Sequence, residues 1–329
     1  MILTVTPNPS IDRTVVLPGT LRRGGVHRAD AVLFQPGGKG VNISRACVAA
    51  GVPTLAVLPV AADDTVVAQL AQMGVEVRPV TPTGPMRINL TITEPDGTTT
   101  KINTAGASVR EDGLERLAET VLAAAADARP EWVVLAGSLP PDAPADWYAR
   151  VGAALHSDGH RFAVDTSEAP LAALLEGAAF PDLIKPNAEE LAFATGGDPE
   201  VLEADPMAAA TAAATLASHS AGAVLATLGA AGAVLVDASG AWHATPPATT
   251  VVSTVGAGDA SLFGYVYADL RGATAPERLA AAVAYGAAAA GLPGTTPPAP
   301  TDVRISEVRV HQLDSLPSPT TEGIPSWQN

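Results

Sequence analysis

Cysteine is almost missing: Cys47 is the only one in 329 residues. No internal disulfide can form, so packing must hold the fold, which suits a reducing compartment. Aromatic residues make up only 4% of the chain; Ala, Val and Leu take their place, as in tightly packed helices and strands. No apolar run reaches the ~20 residues that a membrane-spanning helix requires. The opening MILTVTPNPSID has neither a positive n-region nor a long apolar h-region, so it does not read as a signal peptide, and a cytoplasmic location is expected. A net charge of −15 argues against non-specific binding to nucleic acid or anionic membrane. Any anionic ligand must then be held by a local cluster of donors.

Lysine is scarce too. Only Lys39, Lys101 and Lys185 occur among 19 basic side chains. Nucleotide composition explains an arginine bias as readily as function does. Even so, each remaining lysine is a candidate for compact point-charge contact with phosphate, which arginine makes less well.

What is present is alternation. A strand at Ile2–Thr6 precedes GGKG at 37–40 and a helix in VNISRACVAAG closed by Gly51. Strand-like Thr54–Pro59, a helix from about Asp64 to Met73, and Val75–Pro79 follow. From Asp112 onward, helical GLERLAETVLAAAADA, strand WVVLAG, helical WYARVGAALHSDG and strand FAVDTS succeed one another, then strand DLIKPN, helical MAAATAAATLASHSAG and strand AVLATLG. Such spacing predicts βαβ units: a doubly wound α/β fold with a mostly parallel sheet.

Two stretches, about 13–34 and 86–104, have strand-like runs and no helix. The second turns at Asp96-Gly97. They are expected to form a small antiparallel β-flap beside the main sheet, a substrate lid carrying Arg87, Asn89 and Lys101. Its exposed edge offers a place for a second copy to pair, giving a homodimer. One domain is expected to span residues 1–311, and the Pro/Ser-rich tail, 312–329, to be disordered.

The strongest site is VVSTVGAGDASLFGYVYADL. An apolar strand is expected to run into Gly256-Ala257-Gly258, which open a helix. Free amides and the helix dipole there suit a phosphoryl group. Asp259 would repel that phosphate unless it serves as a general base for an attacking hydroxyl. By itself, GxGD equally fits an acid favoured by the dipole. No GxxxxGK[ST] occurs, and no GxGxxG lies between strand and helix, so Walker-type and dinucleotide sites are not expected.

GGKGVNISRA at 37–46 with STVGAGDASLFGY at 253–265 resembles the paired signatures of the ribokinase-like (PfkB) carbohydrate kinases. TPNPSID at 6–12, RIN at 87–89, AGSLP at 136–140, KPNAEE at 185–190 and TLGAAGA at 227–233 fall in family order. Within the family, the chain looks most like the 1-phosphofructokinases, with tagatose-6-phosphate kinases close by. The resemblance implies Asp259 as catalytic base, with Gly256, Ala257 and Gly258 as an anion hole. It implies that Asp12, Gly37, Gly38 and Asn42 hold sugar hydroxyls, and that Lys39, Arg87, Arg28 and Ser138 are near the sugar phosphate. Lys185, Asn187, Glu190, Thr227 and Gly229 would then bind ATP, with Asn187 and Glu190 placing Mg²⁺, mostly through water. Asn187 and Glu190 also fit a helix capping box. Ala260 stands where many relatives carry serine, and Ser253-Thr254 replaces a commoner pair; neither touches the base.

His156 and His160 have a helical metal spacing, but Asp158 and Gly159 point to a frayed helix end instead. Cys47 reads as a packed residue. The expected activity is ATP-dependent phosphorylation of fructose 1-phosphate to fructose 1,6-bisphosphate. Tagatose 6-phosphate and fructose 6-phosphate are alternative acceptors, and a non-catalytic sugar-phosphate sensor is the rival of another class.

Overall fold

The computed structural model describes residues 1–313 apart from 83, 109, 110 and 178. The expected disorder of the tail therefore lies outside the described residues from position 314 on.

The chain starts with β1 (Ile2–Val5), leaves the main body through β2 (Ser10–Val16) and β3 (Ala31–Gly37), and returns in α1 (Lys39–Ala49). β4 (Thr54–Pro59), α2 (Thr65–Gln72) and β5 (Glu76–Val80) lead to a second excursion, β6 (Arg87–Thr93) and β7 (Thr99–Asn103). Alternation resumes with α3 (Glu111–Ala128), β8 (Trp132–Ala136), α4 (Trp147–Ser157), β9 (Phe162–Asp165), α5 (Glu168–Glu176) and β10 (Leu183–Ile184). α6 (Ala188–Thr195), α7 (Pro199–Ala204) and α8 (Pro206–His219) precede β11 (Ala223–Thr227), β12 (Ala233–Asp237) and β13 (Gly240–Thr245). The last elements are α9 (Ala257–Asp269), α10 (Ala275–Ala290) and β14 (Arg309–Gln312).

Among the described residues the main sheet has the order β14-β13-β12-β11-β10-β9-β8-β1-β4-β5. It is parallel from β11 through β5 and antiparallel from β11 to β14. Every residue of β1 and β8 is buried, as strands covered on both faces require. One face packs on α3, α4, α5, α6 and α8 through Leu117, Val151, Leu171, Leu191 and Leu216. The other packs on α1, α9 and α10 through Ile43, Phe263 and Leu279. The doubly wound α/β architecture is as expected.

The second sheet, β3-β2-β6-β7, is the flap. β2/β3 and β6/β7 are antiparallel hairpins, but β2 and β6 meet along a parallel seam that pairs Asp12 with Asn89. Both excursions leave from the carboxyl ends of parallel strands, β1 and β5, so their first strands run the same way. The flap also reaches further than 13–34, starting at Ser10 and ending at Gly37. Register puts Asp12, Gln35, Asn89 and Asn103 on one face, and Arg13, Phe34, Leu90 and Ile102 on the other.

The apolar strand expected before Gly256 is not formed. Residues 246–255 are irregular, with Val251 63% and Val252 59% exposed. β14 pairs along β13 and takes that place in the sheet, while the amides of Val252 and Ser253 turn instead to Ala290 O at the end of α10. The antiparallel run β12–β14 carries no helix signal and was not foreseen. α4 ends at Ser157 and Gly159 has φ +76°, which leaves His160 outside the helix. Cys47 is buried.

Candidate active site

The carboxyl ends of β1, β8, β9 and β10 point to one edge of the sheet, the side where parallel α/β sheets bind ligands. The amino ends of α1, α6 and α9 gather at the same edge. Gly256 caps α9 in the left-handed region, φ +82°, which a residue with a Cβ adopts only at a cost of about 1–2 kcal/mol. That turn swings the helix start inward and buries Asp259 to 7% exposure. The amide of Ala257 turns back to Thr254 O at 3.3 Å, while those of Gly258 and Asp259 have no backbone partner among the described residues. Asn42, on α1, donates its Nδ2 to Asp259 Oδ2 at 2.8 Å.

Two of the three lysines converge here on a residue that sequence reasoning missed. Asp165, at the end of β9, is fully buried and accepts from Lys39 Nζ at 2.5 Å, with Lys185 Nζ at 3.2 Å. Burial alone would push the Asp165 carboxyl up, but Lys185 and Lys39 together hold it below its ordinary value. Lys39 shows the converse. Burial opposes its charge, yet Asp165, Asp259 and Glu190 outweigh burial and raise it. Asp259 is pushed up by burial, with Lys39 opposing and Asp165 reinforcing. A Cβ on Gly258 would lie 3.4 Å from Lys185 Nζ, so that ammonium sits beside the helix start. The available signal for Asp165 was Lys185: a lysine only 3% exposed needs a buried counter-charge, and FAVDTS ends its strand in one.

Asn187 and Glu190 form a complete capping box on α6. Asn187 Oδ1 accepts from the Glu190 amide at 2.7 Å, and Glu190 Oε2 accepts from the Asn187 amide at 2.9 Å. Burial raises the Glu190 carboxyl against the pull of Lys185. Thr227 bridges to Asn187 through the backbone. Gly229 opens a 3₁₀ turn at φ +51°, in the left-handed region that favours glycine.

The flap supplies the other half of the site. Asp12 Oδ1 accepts from Ser10 Oγ and from Asn89 Nδ2, both at 2.9 Å. A Cβ on Gly37 would lie 2.3 Å from Asp12 Oδ2, so only glycine leaves that carboxylate in place. Gly38 caps α1 at φ +115°. Arg87, partly buried, gives its Nε to Asn8 O at 3.1 Å; burial lowers its pKa and Asp12 opposes that. Asn8 Nδ2 in turn approaches Ser138 Oγ at 3.5 Å. Arg28 and Lys101 lie exposed on the flap and are not drawn into this cluster. Lys39 is not in it either: its charge is engaged by Asp165, on the Asp259 side.

A cavity of about 470 Å³ opens at the flap hinge between Asn8, Met86, Arg87 and Pro140. A smaller one, about 260 Å³, is lined by Asn42, Gly256, Asp259 and Thr295. The smaller is lined by the buried carboxylate of Asp259, and Lys39 and Lys185 act on that carboxylate from beside the space. A carboxylate so placed can take a proton from a hydroxyl while cations and amides receive a phosphoryl group.

The sequence matches the model of the pfkB family carbohydrate kinases over residues 6–302. It is 36% identical over 315 residues to a 1-phosphofructokinase of Haloferax volcanii, covering 94% of this chain and 97% of that protein. Identity to a 1-phosphofructokinase of Rhodobacter capsulatus is 35% over 302 residues, covering 91% and 93%. The crystal structure of phosphofructokinase-2 from Escherichia coli in complex with potassium superposes with a TM-score of 0.83 at 30% identity, covering 92% of this chain and 96% of that one.

Proposed function

The chain belongs to the pfkB family of carbohydrate kinases, and from that premise we propose that it transfers the γ-phosphoryl group of ATP to the free primary hydroxyl of fructose 1-phosphate. The products are fructose 1,6-bisphosphate and ADP. The observation that carries the chemistry is the burial of Asp259 at the amino end of α9, oriented by the Asn42 amide. The choice of sugar is supported by relatives bearing the name 1-phosphofructokinase at 35–36% identity.

Asp12, with Gly37 and Gly38 beside it, grips sugar hydroxyls, its carboxylate aligned by Ser10 and Asn89. Arg87 keeps its terminal guanidinium nitrogens for the sugar phosphate, with Ser138 and Asn8 alongside. Asp259 accepts the proton of the attacking hydroxyl. The amides at Gly258 and Asp259, with Lys39 and Lys185, receive the charge of the transferring group. Thr227, Gly229 and Asn187 border the nucleotide phosphates.

Magnesium fits the donor set as a hydrated ion. Glu190 keeps one carboxylate oxygen outside its capping box, and the described residues include no group of three His, Cys, Asp or Glu able to cage a metal. Glu190 and Asn187 would hold it through water, where it neutralises phosphate charge. The apolar flap face, with Phe34 49% and Ile102 52% exposed, supports pairing with a second copy.

The test is ADP release with MgATP and fructose 1-phosphate, fructose 6-phosphate or tagatose 6-phosphate as acceptor. A kcat/KM for fructose 1-phosphate well above the others is expected. A preference for a 6-phosphate overturns the sugar and keeps the mechanism; tight binding without ADP points to a sensor. Asp259→Asn should lower kcat by about 10²–10⁴ with little change in KM. Near wild-type turnover in that variant would remove Asp259 as the base.

A further inference from the structure

Five side chains from four segments form one hydrogen-bonded line between the flap and Asp259. Gln35 lies on β3, on the same flap face as Asp12. Thr295, in the segment after α10, donates its hydroxyl to Gln35 Oε1 at 3.4 Å and accepts from Arg45 Nη1 at 3.1 Å. Arg45 Nη1 also reaches Asn42 Oδ1 at 3.5 Å, one turn back on α1. Asn42 Nδ2 then donates to Asp259 Oδ2 at 2.8 Å. Donation runs outward from Arg45 in both directions.

Arg45 is only 8% exposed, and it has no ion pair with a carboxylate among the described residues. Burying a guanidinium without a direct counter-ion is costly, so some gain must offset it. A carboxamide presents two ends of nearly equal size. Turned the other way, Asn42 would set an oxygen against the Asp259 carboxylate. A guanidinium is all donor and keeps its proton, so it selects the Asn42 oxygen and sends the N–H to Asp259.

We propose that Arg45 is a positioning residue that fixes the Asn42 carboxamide with its N–H toward Asp259, and that Thr295 and Gln35 tie this orientation to the seating of the flap. The inference rests on Asp259 being the base. The other charged groups facing Asp259 are Lys39 from α1, Asp165 from β9 and Lys185 from the segment after β10, and all stay intact in the variants below.

The experiment measures kcat/KM against pH for Arg45→Met, Asn42→Ala and the double variant, with thermal unfolding as a fold control. Losing the Asn42 donor removes a contact that favours ionised Asp259, so the acid limb moves to higher pH in Arg45→Met. Turnover falls about ten- to hundredfold through misalignment. In the Asn42→Ala background, Arg45→Met adds nothing further, since its effect passes through Asn42. Thr295→Val, which cuts the flap tie and spares α1, shifts the limb the same way and by less; it serves as the test if Arg45→Met does not fold. An unmoved acid limb, or losses that add fully in the double variant, would reduce Arg45 to a packing residue and overturn the proposal. Asp259→Asn separates the two readings. If it keeps turnover, the base assignment has failed; if it is inactive while Arg45→Met leaves the limb in place, only the positioning role has failed.

Discussion

Asp165 and Lys39 act on Asp259 with opposite signs, and that makes their roles separable by pH. Burial already raises the Asp259 carboxyl, so the acid limb of kcat/KM should lie above the ordinary carboxylate range, with activity falling as Asp259 protonates. Lys39 opposes that rise and Asp165 adds to it. Lys39→Met should therefore move the limb to higher pH, and Asp165→Asn to lower pH. The second variant also strips the counter-charge from Lys185, which is 3% exposed. A stability loss of about 3–5 kcal/mol is expected from breaking that buried pair. Denaturant unfolding and a pH profile on the same samples check both. Limbs that move together in the two variants would remove this electrostatic account.

At the scale of elements, α6 serves two purposes with one pair of residues. The capping box between Asn187 and Glu190 is the structural reading of the NxxE spacing, and it is fully formed. Asn187→Ala should cost about 1 kcal/mol by loss of the cap. Asn187→Asp keeps the cap, places a charge beside the nucleotide phosphates, and should raise KM for MgATP with the melting temperature retained. An unchanged KM would leave Asn187 with the cap alone. The helices and parallel strands were legible because their periodicity and ends are local: the helix expected from about Asp64 to Met73 runs from Thr65 to Gln72, and Gly51 does end α1 with φ +70°. The segment 246–255 misled because a run of valines carries strand propensity, whereas strand formation needs a partner strand, and the amides of Val252 and Ser253 turn to Ala290 O instead.

For the whole molecule, the flap has two unlike faces. One of its faces carries Asp12 and Asn89, while the other exposes Phe34 and Ile102. A second copy covering that apolar face would order the flap over the substrate. Phe34→Asp with Ile102→Asp should convert a dimer to monomer in analytical ultracentrifugation and raise KM for the sugar phosphate more than for ATP. A wild-type chain that sediments as a monomer at micromolar concentration would exclude this interface.

The sequence by itself determined the alternation of strands and helices, the two-part flap and the glycine-rich start of α9, since each rests on neighbours in the chain. It also marked Asp12, Asn42, Arg87 and Asp259 through a family resemblance. Only the tertiary structure decided that Lys39 pairs with Asp165 instead of joining Arg87, and that the two hairpins of the flap join in parallel. The same holds for the line of donors from Arg45 that connects Gln35 to Asp259. Those outcomes depend on groups 126 and 217 positions apart, Lys39 to Asp165 and Asn42 to Asp259, meeting where water is excluded. Charge and hydrogen-bond pairing there is settled by burial and distance, and neither is written in local pattern.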